Sequence, residues 1–381
     1  MSFKIKMIPL AGAIAFAFAG TVAAQEMVVK IGHVGPVSGA IAHLGKDNEN
    51  GAKMAIEELN AKGVMIGGKK VKFELLAEDD AGDPKQGTTV AQKLVDAKVN
   101  GVIGHLNSGT TIPASKIYND AGIVQISPSA TAVPYTNQGF KGAFRVVAND
   151  GQLGGTLGRY AVQISKAKKI AVIDDKTAYG EGVAKEFSKG AKSKGGEILV
   201  QEHTTDKSTD FSAILTSIKA KKPDLIFFGG MDAVAGPMLR QMKALGLTAK
   251  FMGGDGICTS DLPKLAGDGI GEGQVVCAEA GGVFDAQKKI RDAWDVSYEK
   301  KFGVKVQIYA PYVYDSVMMM AEAMKQANSA ESAKYLPVLK KLKFKGVTGD
   351  IAFDDKGDIK DGALTLYTYK GGKRELVSVV K

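Results

Sequence analysis

Two hydroxyl-rich stretches each follow a short apolar segment in the first half of the chain. The first covers residues 101–115, GVIGHLNSGTTIPAS, in which Ser108, Thr110 or Thr111 could cap a helix that Pro113 begins. The second covers residues 123–131, IVQISPSAT. Hydroxyls and free N–H groups at the start of a helix favour an anion such as a carboxylate. For the first stretch alone, a plain capped helix is an equally good interpretation.

Motifs for catalysis are absent from the rest of the sequence. The chain contains no G-x-S-x-G, P-loop, G-x-G-x-x-G or H-E-x-x-H pattern. The chain has four histidines, and they show no spacing typical of metal ligands (His33, His43, His105, His203). His33 and His105 end apolar strands and are expected to be packed or hydrogen-bonded rather than catalytic. The pattern therefore favours ligand binding over turnover, and a secreted enzyme on a two-lobed scaffold is the weaker alternative.

Length and composition indicate how such turns are positioned. A chain of 381 residues is too long for one ordinary core, so two lobes are expected. The sequence has 47 glycines but only 11 prolines, which fits many strand-to-helix turns in a folded protein.

A pattern of alternating strands and helices occurs twice along the chain, over about 120 residues each time. This predicts α/β architecture with two doubly wound parallel-sheet lobes. A later strand at 275–279, helices after it and a β-rich tail predict that the chain crosses between the lobes several times, forming a multi-strand hinge. The predicted N-terminal lobe is 25–148 and 279–353, and the predicted C-terminal lobe is 149–278 and 354–381.

The first 24 residues are typical of a secretory signal peptide. Lys4 and Lys6 precede an apolar run at 8–20 that is too short for a stable membrane anchor, and 22–24 (VAA) fits the cleavage rule. Cleavage near Ala24 would release a periplasmic chain starting at about Gln25. No cysteine stands directly after the apolar run, where a lipid would be attached, which argues against a lipid anchor. Removing the two lysines lowers the net charge from +9 to +7.

The remaining positive charge is spread over several lysine clusters. Such clusters are usually solvated helix faces, so nucleic acid is not an expected partner, whereas contact with a membrane partner stays open. Cys258 and Cys277 form an even pair in an exported chain, which favours a disulfide over two separate buried thiols.

A set of short motifs, weak singly but specific together, resembles the branched-chain amino acid-binding proteins of ABC importers. These are the Leu/Ile/Val-binding, type I periplasmic binding proteins, and the resemblance covers essentially the whole mature chain. The motifs are GPVSG at 35–39, DD at 79–80, DP at 83–84, 101–108, ISPSAT at 126–131, DK at 175–176, YGEG at 179–182, MLRQ at 238–241 and FDDKG at 353–357.

The resemblance implies a site in the cleft between the lobes. The ligand carboxylate would bind Ser108 and the backbone near Ser129 and Thr131, and the Thr131 hydroxyl could accept from the ammonium. Asp255 matches the acidic position that pairs with that ammonium, and Tyr179 would close over the ligand from the second lobe. The resemblance also implies that the wall of the ligand pocket is formed by Leu44, Leu106, Asn107, Ala130 and Met231. It also implies a membrane permease as partner, a monomeric binding protein and no cofactor.

Asp255 has a second interpretation. It follows FMGG at 251–254, so it stands at a strand end from which a charge can reach the cleft, but a turn aspartate satisfied by neighbouring N–H groups fits as well. If it does bind ligand, the sequence offers it as the only acidic partner of the ammonium.

Several positions depart from the family pattern. The acidic residue is usually one methylene longer, and Leu44 and Met231 replace residues that are often aromatic. Gly82 and Asn107 stand where the family has a disulfide in its first lobe. Flexible aliphatic side chains in place of aromatic rings would let the pocket adapt to ligand side chains of different shape. The sequence therefore leaves open leucine, isoleucine, valine, another small amino acid, or a carboxylate, amide or aromatic acid, and leaves open a role as a periplasmic ligand sensor.

Overall fold

The computed structural model describes residues 1–3, 26–282, 285–360 and 362–380. Apart from residues 1–3, the predicted signal peptide and its cleavage site near Ala24 lie outside the described residues. In the described part of the chain, no helix combines the length and apolar character needed to cross a membrane.

Strands and helices alternate along most of the chain. The strands are β1 Met27–Gly35, β2 Met65–Ile66, β3 Lys69–Asp79, β4 Gly101–Gly104, β5 Gln125–Ser127, β6 Ala143–Arg145, β7 Lys169–Asp174, β8 Glu197–His203, β9 Leu225–Gly229, β10 Lys250–Gly253, β11 Val275–Glu279, β12 Phe344–Lys345, β13 Asp350–Ile351, β14 Leu364–Lys370 and β15 Lys373–Val380. The α-helices are α1 Ala42–Lys62, α2 Pro84–Asp96, α3 Ser108–Asp120, α4 Pro134–Asn137, α5 Asp150–Gln163, α6 Ala178–Lys192, α7 Ser212–Ala220, α8 Asp232–Ala244, α9 Leu262–Ala266, α10 Asp285–Phe302, α11 Ala310–Gln326 and α12 Ser332–Leu339.

The first sheet has the strand order β2-β3-β1-β4-β5-β6 and is parallel from β3 to β6. Strand β4 is buried along its whole length because it lies in the middle of the sheet. Helix α11 packs against both α1 and β4, so the late helices complete the lobe that the N-terminal residues begin. Gly51 makes this packing possible, because a Cβ there would lie 2.2 Å from the carbonyl oxygen of Ala310.

The second sheet has the order β15-β14-β11-β10-β9-β7-β8. Strands β8, β7, β9, β10 and β11 are parallel, and the C-terminal hairpin of β14 and β15 adds to the edge of β11 in antiparallel fashion. The predicted α/β class with two doubly wound lobes is therefore confirmed.

The segments that connect the two sheets lie side by side. The N–H of Ala148 donates to the carbonyl of Ala280 at 2.8 Å, and the Thr365 hydroxyl donates to the carbonyl of Gly281 at 2.7 Å. Three chain segments therefore meet where the lobes join, which is the multi-strand hinge expected from the sequence. The N–H of Arg145 donates to the carbonyl of Gly357 at 2.9 Å. This bond holds Gly357 against β6 of the first sheet. We therefore propose the predicted lobe boundaries with one change: the chain passes from the first lobe to the second for the last time after Lys360, rather than between residues 353 and 354.

The start of α3 differs from the sequence prediction. The helix begins at Ser108, five residues before Pro113, so the prediction that Pro113 begins the helix is wrong. Asn107 stands at the N-cap without a side-chain capping bond, and the hydroxyls of Thr110 and Thr111 donate to its carbonyl at 3.1 and 2.8 Å. Tertiary contacts thus outweigh the usual cost of proline inside a helix, and they bring Ser108 to the first turn.

Candidate ligand-binding site

The two hydroxyl-rich turns lie against each other at the carboxyl ends of β4 and β5. The Ser108 hydroxyl oxygen accepts a hydrogen bond from the N–H of Ala132 at 3.2 Å, and the Ser129 hydroxyl donates to the carbonyl of Leu106 at 3.0 Å. The first N–H groups of α3 have no partner within the helix and its positive end faces this junction. The junction therefore offers the donors that a carboxylate needs.

Arg145 fixes the second turn from behind. Its buried guanidinium donates to the carbonyls of Ala130 and Ala132 at 3.0 and 2.9 Å and pairs with Asp358 at 2.6 Å. Arg145 therefore binds the backbone on both sides of Thr131. The Thr131 hydroxyl is buried, and no described protein atom hydrogen-bonds to it.

Asp255 lies directly after β10, in a short 3₁₀ turn, and is completely buried. Tyr179, in the first turn of α6, donates to one of its carboxylate oxygens at 2.7 Å, and Tyr309 donates to the other at 3.1 Å. Burial raises the pKa of Asp255 to about 6, although both tyrosine hydroxyls act in the opposite direction. A carboxylate in this setting gains from a cation that restores its lost solvation.

Glycines on both sides of Asp255 allow this packing. A Cβ at Gly254 would lie 2.6 Å from the Tyr179 hydroxyl, and one at Gly256 would lie 2.9 Å from the sulfur of Met231. The GGDG sequence thus lets Tyr179 and Met231 approach the aspartate.

Tyr309 is a site residue that sequence reasoning missed. It precedes α11, which packs on the first sheet, whereas Asp255 belongs to the second sheet, so their hydrogen bond crosses the cleft. The carboxylate of Asp47 in α1 fixes this segment by accepting from the N–H groups of Ile308, Tyr309 and Ala310 at 3.1, 2.9 and 2.9 Å. The aromatic pattern IYAPY at 308–312, just before a helix, was the available signal.

Asp150 is the second site residue that was missed. It is completely buried, neither carboxylate oxygen has a hydrogen-bond partner among the described residues, and its N–H donates to the carbonyl of Thr131 at 2.8 Å. Burial raises the pKa of Asp150 to about 8; the nearby Thr131 hydroxyl acts in the opposite direction and the charge of Asp255 reinforces the effect of burial. Two buried carboxylates, those of Asp150 and Asp255, therefore flank the junction of the lobes, whereas the sequence indicates Asp255 alone.

Several of the predicted wall residues lie in an apolar cluster that both lobes share. Leu44 and Leu106 are buried in one cluster with Phe228 and Ile257 of the second lobe, and Met231 packs against the same cluster. Asn107 lies beside Gly82, with 3.6 Å between its side-chain oxygen and a Cβ placed on the glycine. That oxygen is buried and has no partner among the described atoms.

His105, which follows β4, is held in place by contacts within its own lobe. Its two ring nitrogens lie 2.9 Å from a carboxylate oxygen of Asp80 and 3.0 Å from the Tyr118 hydroxyl. Among the described residues, no group of three or more His, Cys, Asp or Glu side chains is arranged to hold a metal ion.

The disulfide predicted between Cys258 and Cys277 is confirmed. It joins the segment just after Asp255 to the central part of β11. The bond therefore ties the turn that carries the buried carboxylate to the strand that leads into the hinge.

Comparison with known proteins identifies the family. A family model described as periplasmic binding protein matches residues 28–373, which is most of the chain. The chain belongs to the periplasmic binding protein family.

Individual relatives of this periplasmic binding protein align over nearly their full length. The Leu/Ile/Val-binding protein homolog 1 of Brucella abortus is 37% identical over 368 residues, covering 96% of this chain and 95% of the relative. The leucine-, isoleucine-, valine-, threonine- and alanine-binding protein of Pseudomonas aeruginosa is 35% identical over 342 residues, covering 90% of each chain.

A solved structure shows the same arrangement of lobes. The branched-chain amino acid transporter substrate-binding protein of Streptococcus pneumoniae, crystallised with isoleucine, superposes with a TM-score of 0.84 at 29% identity. The match covers 93% of this periplasmic binding protein and 99% of that chain. The two-lobed fold and its hinge are therefore shared with a protein whose ligand is an amino acid.

Proposed function

We propose that this periplasmic binding protein captures an aliphatic amino acid (leucine, isoleucine or valine) between its lobes and delivers it to the membrane permease of an ABC importer. The observation that carries the proposal is the pair of buried carboxylates, Asp150 and Asp255, beside the donor-rich junction at Ser108 and Thr131. Opposite charges placed side by side in a closed cleft match a zwitterion.

Each part of the ligand has a defined position in this proposal. The carboxylate binds the Ser108 hydroxyl and the N–H groups near the start of α3 and around Ser129 and Thr131. The ammonium donates to the Thr131 hydroxyl, Asp150 and Asp255, which gives each of its three hydrogens an acceptor. These acceptors include two that lack a protein partner in the described structure, which supports assigning them to the ligand.

The side chain of the ligand contacts Leu44, Leu106, Ala130, Asn107 and Met231, while Tyr179 covers its main-chain end. An aliphatic group fits these walls because leucine and methionine present apolar surface without a fixed aromatic plane. The names of the relatives support this choice, since they include leucine, isoleucine and valine as well as the smaller threonine and alanine. A periplasmic ligand sensor with the same fold is the second candidate, and only the membrane partner distinguishes it.

The proposal also covers the export of the protein and the state in which the mature chain works. The signal segment is cleaved near Ala24, the mature chain works in the periplasm as a monomer, and it binds neither nucleic acid nor cofactor. It releases its ligand chemically unchanged, because the cleft pairs charges with the ligand and the residues described around it include no nucleophile–base pair.

A thermal-shift screen of amino acids and simple carboxylates tests the proposed ligand class. The protein is first unfolded and refolded to remove bound ligand. Leucine, isoleucine and valine at about one hundred times Kd should each stabilise the folded protein by about 2.7 kcal/mol, because they bind only the native state. Stabilisation by aromatic or simple carboxylic acids, with none by these amino acids, would refute the assignment.

Closure of the lobes is a further expected result. The ligand contacts both lobes, so it stabilises the closed form by the difference in its affinity for the two forms. X-ray scattering should therefore show a smaller radius of gyration at saturating leucine than in its absence. An unchanged radius would mean that the cleft is rigid or that one lobe alone holds the ligand.

A further inference from the structure

One ion pair crosses the cleft beside the proposed pocket. His43, at the start of α1 in the first lobe, lies 2.7 Å from a carboxylate oxygen of Asp232, the first residue of α8 in the second lobe. The His43 side chain is 21% exposed, whereas that of Asp232 is fully buried. Solvent and protons can therefore reach the histidine while the aspartate stays fixed.

The aspartate is held by its own lobe. The Thr259 hydroxyl donates to the same oxygen of Asp232 at 2.6 Å, and its oxygen accepts from the N–H of Leu262 at 3.1 Å. The other oxygen of Asp232 is buried without a partner among the described residues. Asp232 therefore presents a preorganised negative charge to His43 when the lobes close.

The pair is adjacent in sequence to two wall residues of the pocket. His43 precedes Leu44 in α1, and Asp232 follows Met231, which caps α8. Joining His43 to Asp232 consequently brings the two wall positions towards each other across the ligand side chain.

The surrounding charges favour the protonated histidine. Burial lowers the pKa of His43, but its hydrogen bond to Asp232 and the negative charges of Asp232, Asp261 and Asp47 outweigh burial, so the pKa lies above its ordinary value of 6.5. On the other side, Asp232 interacts with the Tyr309 and Tyr369 hydroxyls, which remain neutral because their pKa values are raised.

We propose that His43 and Asp232 are positioning residues that latch the lobes together over the ligand, so that protonation of His43 tightens binding. We call this pair the interlobe latch. The interlobe latch rests on the proposed function only because it needs a ligand that closes the cleft. It makes the affinity for that ligand depend on pH in a way that the ligand contacts alone do not.

The direction of the pH effect follows from the two forms of the protein. In the open form His43 loses Asp232 and returns to its ordinary pKa, whereas closure raises that pKa. The stabilisation of the closed form is thus complete below about pH 6.5 and is lost as the pH rises through the raised value. Burial raises the pKa of Asp150 to about 8 and that of Asp255 to about 6, so both carboxyl groups titrate in the same window. Their contribution is common to wild-type protein and to a variant that lacks His43, so the latch is measured as the difference between the two proteins.

Calorimetric titration with leucine at about pH 6 and about pH 8.5 tests the latch. His43→Gln keeps a hydrogen-bond donor but no titratable charge, so it retains only the pH dependence that comes from Asp150 and Asp255. The ratio of the affinity at about pH 6 to that at about pH 8.5 should be roughly three- to tenfold higher in wild-type protein than in His43→Gln. Asp232→Asn should lose the same part of the pH dependence, and the double variant should lose no more than either single variant.

A second histidine–aspartate pair provides a matched control. His203 lies 2.7 Å from Asp174, but both residues belong to the second sheet and their contact does not cross the cleft. His203→Gln should therefore retain the wild-type pH dependence of leucine affinity. A pH dependence in His43→Gln equal to that of wild-type protein, or loss of the wild-type pH dependence in His203→Gln, would overturn the latch.

Scattering without ligand separates failure of the latch from failure of the proposed function. Acidification from about pH 8.5 to about pH 6 should reduce the radius of gyration more in wild-type protein than in His43→Gln, whatever ligand the protein binds. Equal responses of the two proteins would contradict the latch. Failure of leucine to bind wild-type protein at either pH would instead contradict the proposed ligand.

Discussion

Replacing Asp255 by asparagine is expected to weaken leucine binding roughly 30-fold or more. The substitution keeps the shape of the side chain but removes the negative charge that pairs with the ligand ammonium. Loss of one partner from a buried, hydrogen-bonded charge pair costs ~2–5 kcal/mol. Calorimetry of the refolded wild-type and variant proteins at neutral pH measures the change directly.

Asp315 provides a matched control for that experiment. It too is completely buried with a pKa raised by burial to about 6, but its carboxylate accepts from the backbone and hydroxyl of Thr348, a residue that has no part in the proposed site. Asp315→Asn should lower stability without a comparable loss of affinity. Unchanged leucine affinity in Asp255→Asn would show that the aspartate only completes its turn. Asp150→Asn should weaken binding as well, because Asp150 is the other buried acceptor.

Opening the Cys258–Cys277 bond should lower the free energy of unfolding by ~3 kcal/mol. The bond closes a loop with a sequence separation of 19 residues, and its loss restores conformational entropy to the unfolded chain. Denaturant titration with and without reductant measures the effect through the transition midpoint. Leucine affinity should fall as well, since Asp255 stands three residues before Cys258.

The double variant Cys258→Ala/Cys277→Ala is the control for the action of the reductant. Its midpoint should lie close to that of the reduced wild type and should not respond to reductant. Alanine avoids placing two new hydroxyls in a buried apolar cluster. A wild-type midpoint that is insensitive to complete reduction, verified by thiol titration, would contradict the predicted contribution.

Much of the fold was accessible from the sequence because it depends on local periodicity. Buried strands such as β9 and β7 are short apolar runs, and the helices that follow them repeat apolar residues at helical spacing. The start of α3 was misplaced for the opposite reason. Proline usually marks the first turn of a helix, but contacts of Ser108 with the neighbouring turn extend the helix by five residues on its N-terminal side.

The site was only partly accessible. Ser108, Thr131 and Tyr179 lie in motifs that carry the family resemblance, Asp255 matches the acidic position that the resemblance implies, and the structure places Tyr179 against Asp255. Tyr309 was missed because its partner Asp255 lies 54 residues away in sequence and in the other lobe. Local patterns carry no information about such a pairing.

Asp150 was missed for a different reason. Its sequence context, at the start of α5, looks like that of any acidic residue in the first turn of a helix. Only the fold shows that its carboxylate is completely buried and unpartnered beside Thr131. Burial of this kind is a property of the tertiary structure.

The central claim is that the cleft selects for both charges of an amino acid. Calorimetric titration of refolded wild-type protein with leucine and with 4-methylpentanoic acid, which lacks only the amino group, tests it most directly. Leucine should bind at least about 30-fold more tightly, because the acid leaves Asp150 and Asp255 buried without a counter-charge. Equal or tighter binding of 4-methylpentanoic acid would contradict the account.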